Sequence, residues 1–425
     1  MGNTTDQTMH DALAGLVTLL VVAYALWFLV GRLRRSRPDL RIAAPIAVAF
    51  VVRVLAAAAL SLTTIAQTLR GGDELVFLDQ ARAITDSPFG SGPWLDALTA
   101  GLHKFVFATQ MWILGSPDLV LRIAQAGIAV AGLALLAAAV YELAGQRPAR
   151  ITAWLLALEP TGVFFSTLLH KEPNMMLAGG LVAFGGATIW KRGDLHSLWP
   201  IILGCLIAVA TRPYAGWFLI AAGAAIVLHA GVRKRHTTSA RSLALVAIVV
   251  MFAAISAPTV WNASSTESLH KLQASQQANV GSALSNLNLE KVDFSTRGAV
   301  ITNLPKRIRD ILLRPYPWQL GDVSQQFGLL GTAVAYSTLV FLLAALIGAR
   351  GEILKRAGPL IYIGFFLLIA YSLSAGNAGT AFRYRTHIVA VAICIVASLG
   401  LASSRAVEER DRRLPLPAGQ PLPTP

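Results

Sequence analysis

Long apolar stretches carrying at most a stray charge govern what this chain can fold into. A helix needs about 20 mostly apolar residues to cross a bilayer core of roughly 30 Å. The 425-residue sequence holds eleven runs of that character, near 12–30, 42–64, 119–140, 149–168, 174–190, 197–211, 213–230, 241–258, 327–348, 358–374 and 386–402. Only the triplet Thr211-Arg212-Pro213 parts the sixth from the seventh. Charged residues make up 14% of the chain, against about 25% in soluble domains. A disordered chain, a collagen-like chain and an ordinary soluble enzyme are thereby excluded. Cys205 and Cys394 both sit inside apolar runs, so no disulfide framework is expected. The predicted fold class is all-α: a polytopic, multi-pass protein of the plasma (cell) membrane with about 11 transmembrane helices. Arg53 and Glu159, lone charges within runs, are expected to face other helices rather than lipid.

The formal charge of +14 is read as topology, with the lipid bilayer and not nucleic acid as the partner. Cytoplasmic loops collect Lys and Arg. With eleven spans, one face receives the segments 31–41, 144–150, 191–196, 231–241, 349–356 and the tail from 403, which hold 20 of the 36 Lys and Arg. The other face has short loops poor in Lys and Arg and two long segments, 65–118 and 259–326. The N-terminus is therefore expected outside and the C-terminus inside. The basic flank Gly31-Arg32-Leu33-Arg34-Arg35 follows the first run, the wrong side for a cleaved signal, so that run is read as a retained helix. Residues 1–402 form one transmembrane domain, and the charged, then Pro-rich 403–425 is expected to be a disordered cytoplasmic tail. There is no repeat of 20–50 residues, no Walker A loop, no dinucleotide glycine pattern and no zinc-ligand spacing.

On the outer face the chemically distinctive residues gather at helix ends. Asp73 and Glu74 follow the second run, and the spacing to Phe77 and Ala81 predicts a short interfacial helix, with a second amphipathic piece from Trp94 to Trp112. The plain alternative for the two acids is a helix cap, since carboxylates favour helix N-termini. Lys171 and Glu172 lie in a short turn at the bilayer edge, where ionisable groups cost energy unless paired, so a local ion pair is their plain alternative. Arg212, Arg314, Arg383 and Arg385 arrive on the same face from three further segments, against the positive-inside bias. Guanidinium groups bind phosphate in a bidentate fork. Carboxylates and arginines near lipid headgroups suit a reaction on a lipid phosphate.

This pattern resembles the GT-C superfamily of integral membrane glycosyltransferases. Gly72-Asp73-Glu74, Phe77 and Ala81 resemble its first-loop signature, with Phe77 where Tyr is usual. Pro160, Ser166 and Lys171-Glu172 are similar to the P-x(5)-S-x(4)-K-[DE] region of bacterial exopolysaccharide members, and Phe382-Arg383-Tyr384-Arg385 to their R-Y-R element. The resemblance implies a GT-C-like fold with interfacial helices in the first outer loop. It implies transfer of a hexose or pentose from a polyprenyl-phosphate-linked donor, on the extracytoplasmic face, to a hydroxyl on a glycan, lipid or protein acceptor, with inversion at the sugar. Asp73 is then the base, with Glu74 as neighbour or alternate. Arg212, Arg383 and Arg385, with Arg314, are phosphate candidates, and Lys171 and Glu172 orient donor or acceptor. Some members use a divalent metal, Mg2+ or Mn2+, and others none. Two other readings stay open: an O-antigen-type polysaccharide polymerase or ligase, and a transporter or flippase for a lipid-linked sugar, which should show inverted repeats and broken helices.

Overall fold

The computed structural model describes residues 2–63, 72–115, 118–233, 266–281, 289–319 and 328–413, and among them there is helix and no strand. The helices are α1 (Gly2–Arg35), α2 (Ala43–Leu62), α3 (Gly72–Thr85), α4 (Gly92–Ala100), α5 (Leu102–Leu114), α6 (Asp118–Ala144), α7 (Gln146–Leu158) and α8 (Pro160–Thr167). There follow α9 (Glu172–Arg192), α10 (Leu198–Thr211), α11 (Pro213–Arg233), α12 (Thr266–Gly281), α13 (Arg297–Leu313), α14 (Gly328–Ala349), α15 (Ile353–Ser374) and α16 (Ala378–Arg413). Six helical stretches among the described residues are long and apolar enough to cross a bilayer: His10–Arg35, Ala43–Ser61, Asp118–Ala144, Pro213–Val232, Gly328–Ser374 and Ala378–Leu401. Gly328–Ser374 is α14 and α15 joined through a short 3-10 turn. Leu16, Leu20, Trp27 and Phe28 of α1 and Val340, Phe341 and Ile347 of α14 stand exposed. Faces of that size are lipid contacts in a multi-pass membrane protein.

Of the eleven expected spans, 149–168 takes another form, 174–190 and 197–211 are helices outside the six stretches above, and 241–258 lies outside the described residues. The run 149–168 is not one helix but α7 and α8, broken at Glu159. Pro160 has no N–H to continue the ladder and its ring fixes φ, so the chain restarts there as a helix first turn. The Glu159 carboxylate accepts from the backbone N–H groups of Thr161 and Gly162 and caps α8. Arg53, on α2, donates to the carbonyls of Leu156 (3.2 Å) and Ala157 (3.0 Å). These belong to the last turn of α7, which leaves its carbonyls without helical partners. It also donates to Ser166 Oγ at 2.9 Å. The two lone charges expected to face other helices thus complete a broken one. The run 197–211 is the short α10 of 14 residues. The run 174–190 falls in α9, whose 21 residues are long enough but include four glycines.

Those glycines set the packing. A Cβ on Gly180 would lie 2.5 Å from the Gly132 carbonyl oxygen, and one on Gly132 equally close to Met176 O. Backbones of α6 and α9 therefore touch directly, as small residues allow between membrane helices. Around this pair the core gathers Leu136, Val140, Val182, Leu219, Leu360 and Ile388.

The bundle has two chemically distinct ends. At one, Arg37 and Arg192 both reach Glu142, at 2.5 and 2.7 Å. There too, Arg41 N–H donates to Gln146 (3.0 Å), Trp190 Nε1 to Lys355 O (3.1 Å), and Arg356 to Leu399 O (2.6 Å). Four of the basic loops named from the sequence, 31–41, 144–150, 191–196 and 349–356, thus share this end. At the other end lie α3, α4 and α5. The expected amphipathic piece from Trp94 to Trp112 is split at Gly101, and the three helices share a small core of Leu78, Trp94, Phe107 and Met111 that continues to Leu169. α16 continues as helix to Arg413, so 403–413, expected to be disordered, is helical.

Candidate functional site

Asp73 and Glu74 occupy the first turn of α3. Successive residues on a helix point about 100° apart, and the two acids go to different places. Glu74 turns inward and is fully buried. It forms an ion pair with Arg122 of α6 and accepts from Leu169 N–H at 3.3 Å. Arg122 also reaches Asp118 at 2.8 Å and the Thr167 carbonyl at 2.8 Å. This network pins α3 and the 168–171 turn to α6. Glu74 is not brought to the site cavity. Arg122 escaped the sequence reading, although a charge heading the apolar run 119–140 is a signal of this kind.

Asp73 turns outward, 55% exposed, and meets Arg383 of α16 at 2.8 Å. The two line a cavity of about 200 Å³ with Lys171, Arg212, Tyr214 and Tyr384. Ser374 and Thr380 add hydroxyls to its wall and Phe77 an aromatic face. Arg212 Nη2 donates to Glu172 at 2.6 Å, and its guanidinium lies 4.7 Å from the Tyr384 ring centre. The Tyr214 and Tyr384 hydroxyls are hydrogen-bonded to each other, and Tyr384 stacks on Tyr371 at 4.5 Å. His387 closes the floor through the Glu172 carbonyl (3.1 Å) and the Tyr371 hydroxyl (3.3 Å). Lys171 Nζ sits 5.2 Å above Phe77, so that ring holds a cation.

Charge in this cavity is lopsided. One exposed carboxylate faces three cations, and the second acid, Glu172, is buried beneath and held by Arg212. Although burial alone would raise it, Arg212 and Arg383 keep the Glu172 carboxyl well below the usual carboxylate range. Burial first, then Arg212, pulls the Lys171 ammonium down to about 8. Burial likewise takes the neighbouring His170 to about 4, so it stays neutral at pH 7. Such a cavity suits a phosphate-sized anion next to a base. It does not suit a divalent cation: its one carboxylate is already engaged by Arg383, and the three cationic side chains repel such an ion. Among the described residues no group of three His, Cys, Asp or Glu gathers as a metal site.

Two predicted arginines lie elsewhere. Arg385 is buried and donates to the carbonyls of Leu312 (3.3 Å) and Arg314 (3.2 Å) and to Thr332 Oγ1 (2.9 Å), with Phe382 beneath it. Its donors tie α16 to the end of α13 and to α14, away from the cavity. Arg314 belongs to a separate charged cluster with Asp310 (3.1 Å) and Glu290 (3.5 Å). The structure brings Asp73, Lys171, Arg212 and Arg383 together, with Glu172 beneath them, and leaves Glu74, Arg314 and Arg385 out. Ser374 and Thr380 carry no sequence signal; small hydroxyls near helix ends are too common.

No protein-family model matches the chain, and no curated protein matches it. Among solved structures, it is similar to the archaeal oligosaccharyltransferase AglB from Archaeoglobus fulgidus, in complex with an inhibitory peptide and a dolichol-phosphate. The TM-score is 0.46 at 14% identity, over 89% of this chain and 52% of that one. The chain spans about half the length of that protein.

Proposed function

We propose that this protein is a membrane glycosyltransferase of the GT-C type, which moves a sugar from a polyprenyl-phosphate-linked donor to an acceptor hydroxyl on the extracytoplasmic face. The observation that carries the reading is the Asp73 carboxylate sharing one cavity with Arg383, Arg212 and Lys171. In the free protein Asp73 and Arg383 hold each other. A donor phosphate entering the cavity takes over the Arg383 fork, which frees the Asp73 carboxylate for the acceptor. A hydroxyl is a poor nucleophile, and a positioned base contributes typically 10²–10⁴-fold. As the acceptor oxygen bonds to the sugar C1, the bond from C1 to the phosphate oxygen breaks, the proton passes to Asp73, and polyprenyl phosphate leaves. The leaving phosphate gains charge, and Arg383, Arg212 and Lys171 stabilise it where it develops. Arg212 is kept in place by Glu172 and the Tyr384 face.

The test is incubation of the purified protein with a panel of polyprenyl-phospho-sugars and candidate acceptors, watching for free polyprenyl phosphate. Arg383→Ala should raise the donor KM about tenfold or more, the loss of a charge-assisted contact. Release of no lipid phosphate from any donor, or an unchanged donor KM in Arg383→Ala, contradicts the reading.

A further inference from the structure

At the end of the bundle opposite that cavity, a second pair of concavities carries its own chemistry. A surface pocket of about 710 Å³ is lined by Arg41, Arg147 and Arg150, with Asp39 as its one acid and Trp154 and Ile151 on its inner wall. All three arginines are exposed. Their guanidinium groups have no ion pair among the described residues, unlike Arg37 and Arg192 close by, which are held by Glu142. Ile151 and Trp154 also head a groove of about 670 Å³ that continues along α7 between α14 and α16. Its walls are mostly apolar, from Leu155, Leu158, Phe341 and Val396, with Ser337, Thr338 and the capping residue Glu159 also in the lining. A cationic cavity thus opens directly into a hydrocarbon-lined groove through two shared residues. Trp154 stands at the junction of the two, and indole rings favour the boundary between headgroup and acyl chain.

We infer that this composite site binds one anionic phospholipid, its phosphate held by Arg41, Arg147 and Arg150 and an acyl chain laid in the groove beside α7. Charge decides the headgroup. Three guanidinium groups against one carboxylate leave a surplus of two positive charges, which a zwitterionic headgroup does not neutralise. The groove decides that the occupant is a lipid and not a free phosphate, because each buried methylene adds to affinity. The site is independent of the reading of the other cavity. It would tie α7, α14 and α16 together across the α7–α8 break, where the helix ladder is interrupted.

The experiment uses the full chain, purified and exchanged into detergent, with bound lipid read by native mass spectrometry. Titrants are phosphatidylglycerol, phosphatidylcholine of the same acyl chains, and glycerol 3-phosphate. Wild-type protein should retain phosphatidylglycerol well above phosphatidylcholine and bind glycerol 3-phosphate far more weakly than the lipid. Removing a basic residue near a charged membrane surface lowers affinity about fivefold, so Arg147→Ala/Arg150→Ala should lose on the order of 30-fold for phosphatidylglycerol. Both side chains are exposed, and an unchanged helix signal and elution volume confirm that the double variant is folded. Gly400 lines the groove with open space around it, so Gly400→Trp should fill the groove and lower lipid retention while leaving glycerol 3-phosphate binding in place. Equal retention of the two lipids, undiminished phosphatidylglycerol binding in the double variant, or glycerol 3-phosphate binding as tight as the lipid would overturn the assignment.

Discussion

Two adjacent acids show how much a single helical step decides. Asp73 faces the cavity and Arg383, while Glu74 is buried against Arg122. Removing one partner of a buried ion pair leaves the other charge stranded, at about 3–5 kcal/mol. Glu74→Gln should therefore destabilise the protein by that amount in chemical unfolding, whereas Asp73→Asn, half exposed, should change stability by less than about 1 kcal/mol. Equal losses in the two variants would contradict the division of labour. Lys171 supplies a pH test. Its ammonium is lowered to about 8, so its positive charge is present below that value and is lost as pH rises through it. Donor KM should rise above about pH 8 in the wild type, and Lys171→Arg, charged throughout, should flatten that rise. These assignments were half legible in the sequence. Helix ends identified which charges share a face, but not which of two neighbours turns inward. Nor did they show that the carbonyls of Leu312 and Arg314 would absorb Arg385.

At the scale of helices, hydropathy found the apolar runs and missed how some of them are built. The run 149–168 reads as a continuous span because its apolar residues continue past Pro160. The break is visible only when Glu159 is seen capping α8 and Arg53 is seen taking the free carbonyls of α7. α9 is the converse case. Its glycines dilute the apolar signal and yet let two helix backbones touch, at Gly132 and Gly180. Gly180→Val should push α6 and α9 apart and destabilise the protein by about 1–3 kcal/mol or more. Gly348→Val, at an exposed position with no described residue within 4 Å of an added Cβ, is the control and should be close to neutral. Comparable melting temperatures for the two variants would count against direct backbone contact.

Over the whole molecule, the bundle sorts its loops into a basic end held by Glu142 and an end where α3, packed on α4 and α5, lines the cavity. For the four basic loops 31–41, 144–150, 191–196 and 349–356, that separation follows from the alternation of apolar runs and basic loops in the sequence. Reporter fusions at 37 and 270 should report opposite sides of the membrane, with 37 inside; a same-side result would undo the topology. The donor set around Asp73 suits an anion, so a chelator should leave lipid phosphate release unchanged, and restoration of activity by Mg2+ or Mn2+ after chelation would contradict that. The most direct measurement is single-turnover transfer by Asp73→Asn, with the donor that the panel identifies. The predicted result is donor binding no weaker than in the wild type and a transfer rate lower by 10²-fold or more. Transfer at the wild-type rate in that variant would contradict the role given to the cavity.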